Sequence, residues 1–268
     1  MKKNNYIFKI TMYLLIFLLI SPLVILVIWS FVRIWPWPNL LPRDYGLRGF
    51  KHVLDPSTKS LRVLFLSVGL SSLVTLCTLL ISIPAAKALG VYEFRGKGFF
   101  KMLILAPIIV PPVAVAMGIH IAFIKLGLAN TFLGVVFVHL VPCIPYAVRI
   151  LTNVFEIIGE SMEMQARVLG ASPLQTFIKI TLPLMAPGLL SAGSLVFIVS
   201  LSQYFLTFLI GGGRIITLPM LMFPYIQSGD RMMASTYSII FIVTALIMLL
   251  IMERIVRNYY KEQNYFYI

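Results

Sequence analysis

Six stretches of this chain are each long and apolar enough to cross a lipid bilayer: residues 10–32, 63–86, 102–124, 132–151, 185–209 and 235–256. A crossing needs about 20 such residues, and inside hydrocarbon every backbone N–H and C=O must find its partner within the protein. At this length only helices meet that demand. The expected fold class is therefore all-α, a polytopic integral membrane protein of about six transmembrane helices. Composition agrees: hydrophobic residues make up 60% of the 268, charged ones 12%, and the mean hydropathy is +0.96. No soluble core of this size needs that much apolar surface. The first stretch follows Lys2, Lys3 and Lys9, as a signal peptide would. Its apolar core is too long and no small-residue cleavage site follows, so it reads as an uncleaved first helix.

The net charge of +13 raises the question of nucleic acid. The cations are scattered over short loops instead of forming a stripe, so no nucleic-acid partner is expected and the lipid bilayer is. With the N-terminus inside, thirteen of the 22 Lys and Arg fall on cytoplasmic segments and nine on outer ones, most of these in the 33–62 loop. That bias is weak but has the expected sign. None of the nine acids lies in the middle of a span. A proton- or sodium-coupled secondary transporter usually needs an intramembrane carboxylate, so this class is disfavoured. A membrane-embedded enzyme would need a polar catalytic cluster at the interface, and none is visible. Cys77 and Cys143 fall inside spans without a metal-binding spacing, so neither a metal site nor a disulfide is expected. His120 and His139 read as hydrogen-bonded between helices.

Polar residues inside the spans mark candidate linings. Ser71, Thr75, Thr78 and Ser82 recur at helical spacing and share one face of the second span. Such a face either lets helices pack closely or borders a passage. Pro107, Pro111 and Pro112 should kink or break the third span. Gln203 and Tyr204 add an amide and an aromatic hydroxyl to the fifth. These residues, Ser71, Thr75, Thr78, Gln203 and Tyr204, form the candidate substrate path. Outside the spans, Trp35 and Trp37 suit a membrane interface. Arg95-Gly-Lys97-Gly lacks the spacing of a phosphate loop, and nothing else in the chain supplies it.

The most distinctive segment is polar: residues 152–184, between the fourth and fifth spans. Over 160–169, Met162, Ala166 and Leu169 recur at helical spacing and give one apolar face. Gly170 stands where a helix C′ residue would. Ser172 then Pro173 is an N-cap followed by the first helical position. A second short helix carries Leu174, Phe177 and Ile178 on one side, and Leu182-Pro183 ends it as the next span begins. Two short helices at about a right angle make a knob with an apolar face to offer another protein. The bland alternative is a helix lying on the membrane surface.

The run Glu163-Met-Gln-Ala-Arg-Val-Leu-Gly-Ala-Ser-Pro-Leu-Gln-Thr-Phe-Ile-Lys-Ile-Thr-Leu-Pro183 resembles the coupling loop of a binding-protein-dependent ABC importer permease. Family members carry a pattern close to Glu-Ala-Ala, three residues, Gly, roughly nine residues, Ile or Val, one residue, Leu-Pro; Gly170, Ile180, Leu182 and Pro183 fall at those offsets. Phe94-Arg-Gly-Lys97, Pro142-Cys-Ile-Pro145-Tyr146 and Leu201-Ser-Gln-Tyr204 add to the likeness. It is closest to the branch serving polyamines, thiamine, ferric iron and related small solutes. Polyamine permeases tend to carry acids at about Ser202-Gln203, and none stands there. One residue departs from the pattern. The Glu-Ala-Ala would fall on Met164, Gln165 and Ala166, while the acid sits at Glu163, a turn of about 100° away on a helix. The salt bridge attributed to that Glu is then either absent or made by Glu163 or Glu160 from another face, and Glu163→Ala is expected to be mild.

The resemblance implies a type I ABC importer permease (MetI-like) fold, with 1–268 a single transmembrane domain and 152–184 its cytoplasmic coupling loop. The loop residues it points to are Glu160, Glu163, Met164, Ala166, Gly170, Ala171, Ser172, Phe177, Leu182 and Pro183. It also implies partners: a dimer of ABC ATPase subunits, a second permease (sibling or identical copy) and an extracytoplasmic substrate-binding protein docking on the 33–62 and 210–234 loops. No cofactor is expected on this chain, which is not itself an enzyme; ATP and Mg belong to the ATPase. The expected location is a bacterial-type cell membrane, with both termini cytoplasmic.

Overall fold

Apolar length and local helix signals account for most of the elements. The computed structural model describes residues 3–36, 38–39 and 41–262, so Lys2 and Trp37 lie outside the described residues. In chain order these are α1 (Lys3–Phe31), β1 (Val32–Ile34), β2 (Asp44–Tyr45), α2 (Arg48–Leu54), a 3-10 turn (Pro56–Thr58), α3 (Ser60–Val91), α4 (Lys97–Ile109) and α5 (Pro112–Lys125). Then come α6 (Phe132–Ile158), α7 (Ser161–Val168), α8 (Pro173–Thr176), a π turn (Phe177–Thr181), α9 (Leu182–Leu201), α10 (Phe205–Gly211), α11 (Leu218–Gln227) and α12 (Arg231–Glu262). Among the described residues five helical runs are long and apolar enough to cross a membrane: Phe8–Phe31, Ser60–Val91, Phe132–Ile158, Pro173–Leu201 and Arg231–Asn258. The bent pair α4 and α5 makes a sixth when counted as one span.

Two spans take a different course from the sequence reading, each for a local reason. The third span is broken outright, with its halves at 96°. Val110, the residue before a proline, is extended at φ −73° and ψ 135°, and α5 begins on the next proline. A residue preceding proline is driven out of the helical region, while proline suits the first helical position. The fifth span does not start at 185, and Leu182-Pro183 does not end the preceding helix. Thr181 and Leu182 are both helical, so α8, the π turn and α9 run on as one helix. Pro183 falls within the first turn of α9, just after the wide turn, and its missing N–H is accommodated there instead of breaking a regular ladder. The run then stops at Leu201, well short of 209.

The chain divides into two compact units. The first comprises Met1–Leu64 and Met220–Thr244. In it β1 pairs antiparallel with β2, Val32 opposite Tyr45. Trp35 packs on Trp29, ring centroids 4.9 Å apart, and its indole N–H donates to the Asn39 carbonyl at 2.8 Å. An ion pair joins Arg48 of α2 to Asp230, and Ser60 and Tyr237 share a buried hydroxyl contact at 2.8 Å.

The second unit, Phe65–Pro219 with Ala245–Ile268, is built around α6. Ala147, Leu151 and Phe155, four residues apart, are buried on one line of that helix and share a core with Met185, Ala192 and Val196 of α9 and Leu206 and Ile210 of α10. In lipid this packing gains little hydrophobic energy, so close fit must do the holding. Gly90 of α3 shows how close: a Cβ there would lie 2.8 Å from Phe155 Cβ and 2.9 Å from the Thr152 carbonyl oxygen.

Candidate functional site

The knob between α6 and α9 is built from the residues the spacing singled out. Gly170 is the C′ residue of α7 at φ +87°, a conformation glycine adopts at little cost. Its N–H donates to the Arg167 carbonyl at 3.0 Å and that of Ala171 to the Ala166 carbonyl at 3.0 Å. Together these satisfy two carbonyls at the helix end. Ser172 caps α8: its hydroxyl accepts from the Gln175 N–H at 3.3 Å, and the Gln175 side chain accepts from the Ser172 N–H at 3.0 Å. That reciprocal box re-starts the chain as a helix after only Gly170 and Ala171.

The three residues read as one apolar face of α7 do not share one environment: Ala166 turns inward with Glu163, and the other two stay out. Met162 is half exposed and Leu169 is 87% exposed, while Glu163 and Ala166 are buried. Glu163 is the anchor. Lys87 of α3 donates to both of its carboxylate oxygens, at 2.7 and 2.8 Å. The Thr181 hydroxyl of the π turn donates at 2.6 Å, and Arg167 stands at 3.8 Å. Of the possibilities the sequence left open, the ion pair exists and Glu163 makes it; Glu160 is only the backbone N-cap of α7, with no side-chain cap bond. Burial pushes the Glu163 carboxyl up, but the Lys87 and Thr181 hydrogen bonds and the charges of Lys87 and Arg167 outweigh it, leaving it below the ordinary carboxylate range. Lys87 and Thr181 were not singled out from sequence. They lie 76 and 18 residues from Glu163, and no local spacing connects them.

With Glu163 and Ala166 turned in, the knob's apolar side chains point out: Met164, Val168, Leu169 and Leu174 are all more than half exposed. Phe177, Ala171 and Leu182 are half-buried and Pro183 is buried at the root of the knob. Four exposed apolar side chains on so short a two-helix projection are what a protein-contact surface offers.

The candidate path residues separate into two groups. Ser71, Thr75, Thr78 and Ser82 are buried within the chain on one face of α3. The methyl of Thr75 lies 3.7 Å from where a Cβ on Gly193 of α9 would sit. That point is ten residues before Gln203, about 15 Å along a helix. Gln203 and Tyr204 instead occupy the break between α9 and α10, half-buried, with Tyr204 stacked on Phe208 at 5.8 Å. A buried relay holds that break. Thr207 donates to the Gln203 carbonyl at 2.9 Å, so its oxygen accepts from His139 Nε2–H at 2.9 Å, and the Ser200 hydroxyl donates to His139 Nδ1 at 3.0 Å. Its hydrogen bonds tie α6 to both sides of the break. His120 has no such partner among the described residues. Cys77 and Cys143 are unpaired thiols.

Multiple membrane-crossing helices, one of them broken, and an ion-paired knob with a free apolar face together define a multi-pass membrane permease. The chain belongs to the family described as binding-protein-dependent transport system inner membrane components, matched over residues 78–261, and is a permease subunit of an ATP-binding cassette importer. It is 29% identical over 225 residues to the putrescine transport system permease protein PotI of Escherichia coli, covering 79% of this chain and 76% of that one. Likeness to the putative 2-aminoethylphosphonate transport system permease protein PhnV of Salmonella typhimurium is 26% over 224 residues, 83% of this chain and 84% of the relative. The trehalose/maltose transport system permease protein MalG of Thermococcus litoralis is 33% identical over 160 residues, 59% and 57% of the two chains. The crystal structure of a bacterial ABC transporter involved in the import of the acidic polysaccharide alginate superposes with a TM-score of 0.68 over 97% of both chains at 19% identity, a likeness of fold alone.

Proposed function

We propose that the chain works as one transmembrane domain, residues 1–268, forming half of a solute path driven by a separate ATPase that grips the 152–184 loop. The observation that carries this is the Glu163 clamp. It leaves the apolar side chains of the knob free for a partner and ties the knob to α3 through Lys87 and to the root of α9 through Thr181. A push on the knob thus moves two membrane-crossing helices together. ATP and Mg belong to the partner, since no phosphate-loop spacing occurs in this chain. A second permease, copy or sibling, supplies the other half. A binding protein delivers solute to the 33–62 and 210–234 loops on the outer side.

The solute reading rests on Gln203 and Tyr204 at the α9–α10 break. An amide and an aromatic hydroxyl suit a neutral or zwitterionic solute, or an aromatic cation held over the Tyr204 ring. A bare multivalent cation would meet no mid-span carboxylate to offset its desolvation. The relatives named for putrescine, trehalose/maltose and 2-aminoethylphosphonate differ in charge, so family membership alone does not choose among them. The test is purification through a tag on this chain followed by uptake in proteoliposomes. An ABC ATPase should co-purify, and uptake should require ATP inside and binding protein outside. Uptake driven by an ion gradient without ATP would overturn the reading.

A further inference from the structure

A cavity of about 190 Å3 opens between α3, α4 and α6, away from the knob and from the α9–α10 break. Its floor is apolar, with Leu89, Leu105 and Val148, and Lys101, Arg149 and Thr152 also line it. Two of these groups have no hydrogen-bond or ion-pair partner among the described residues. Arg149 is exposed at the proposed cytoplasmic end of the fourth span, three residues before the 152–184 loop, at the level where a lipid headgroup would lie. No acid pairs with it among the described residues, because Glu156 is held by Lys101 at 2.8 Å. The Thr152 hydroxyl, three residues on and so on the same side of the helix, is buried and makes no hydrogen bond among the described residues. An exposed cation at the membrane interface with no acid on it is free to hold an anion, and the orphaned buried Thr152 hydroxyl is costly unless something else satisfies it.

We propose that this cavity holds an anionic phospholipid, its phosphate at Arg149 and Lys101 and its glycerol and upper acyl carbons over the Leu89–Leu105–Val148 floor. The floor argues against a free phosphate ion, which would leave the apolar wall wet. Lys101 and Arg149 against Glu156 leave one net positive charge at the rim, so a lipid with one negative charge balances the site. A zwitterionic lipid does not, since its own cation would face Arg149. Basic pockets between membrane helices are a recurrent way of holding acidic headgroups, with each cation near the surface worth about fivefold in binding.

Native mass spectrometry of the full chain, purified with whatever subunits accompany it, tests this by titration with phosphatidylglycerol, phosphatidylcholine and inorganic phosphate. Phosphatidylglycerol should be retained and phosphatidylcholine bound several-fold more weakly. Arg149→Gln should weaken phosphatidylglycerol binding about fivefold, and Arg149→Lys should restore most of it. Glu156→Gln should tighten binding, because it frees Lys101; a gain of this kind cannot come from misfolding. Equal retention of the two lipids, unchanged binding in Arg149→Gln, or no gain in Glu156→Gln would overturn the proposal. Displacement of the lipid by millimolar inorganic phosphate would overturn it too, and would reassign the cavity to a free ion.

Discussion

Two residues show how differently a position can be legible. Gly170 was readable because its role is local: an α-helix ends there and only one residue type makes the turn cheaply. Nothing lies within 4 Å of a Cβ placed on it, so Gly170→Asp costs only the backbone strain of a positive φ, about 1–2 kcal/mol, and the chain still inserts. The anion would face the ATPase, so uptake should fall while the variant stays in the membrane; normal uptake would argue against ATPase docking there. Glu163 is only partly legible because its role is remote. One residue out of register, it stands as one of three alternatives for the ion pair, and nothing local points to its partners Lys87 and Thr181. Glu163→Ala should therefore destabilise by about 2 kcal/mol, somewhat less than a fully buried pair, by stranding Lys87. Lys87→Met in the same chain should recover much of that loss, and thermal unfolding in detergent measures both. The pH dependence has a definite sign. A carboxyl lowered in the folded state contributes stability above its unfolded value, about 4.3, and loses it as pH falls through the lowered value. The gap between wild type and Glu163→Ala should be full at neutral pH and shrink in acid. A gap independent of pH would mean that Glu163 acts by packing alone.

At the scale of elements, five crossing helices were legible and the course of two spans was not: the third is a bent pair that makes a sixth span only when counted as one, and the fifth starts and stops elsewhere. Apolar length marks a crossing helix because lipid leaves no other structure for it. It says nothing of where a helix passes through a polar loop, as at Pro173–Leu201, where coupling segment and span are one rod. That continuity matters for function: a displacement of α8 reaches the α9–α10 break without crossing a loop. The break was also invisible, since Ser202, Gln203 and Tyr204 are no strong helix breakers; the His139 relay from α6 holds it open. If Gln203 and Tyr204 border the solute, Gln203→Leu and Tyr204→Ala should reduce uptake severalfold or widen selectivity. The ATPase should co-purify unchanged, because the knob is untouched. Wild-type rates and selectivity from both variants would return these residues to a packing role and move the path elsewhere. Ser71→Ala and Thr78→Ala are the matched controls. Their hydroxyls are buried with no partner among the described residues, so their loss should leave uptake near wild type.

At the scale of the whole molecule, the sidedness of the chain decides whether the parts can work together. On the proposed function, the knob meets ATP-bearing subunits inside the cell and the 33–62 and 210–234 loops meet a binding protein outside. The scattered cations only weakly support that orientation, so it needs a direct measurement. Cys77 and Cys143 can be replaced by alanine first; Cys143 is buried in the α6–α9 core, so its loss should cost about 1 kcal/mol of packing without unfolding the chain. Single cysteines then report each side. Ser172→Cys sits on the exposed N-cap of α8 and should react with an impermeant maleimide only in inverted vesicles, whereas Lys59→Cys, exposed just before α3, should react in intact cells. An odd number of crossings between the two positions puts their labels on opposite sides, and an even number on the same side. With five candidate crossing runs plus the bent α4–α5 pair, three crossings lie between residues 59 and 172 only if that pair counts as one. Labelling from the same side would make α4–α5 a re-entrant hairpin instead. Labelling of residue 172 from outside alone would place the knob beyond the reach of ATP, and the proposed coupling would fail with it.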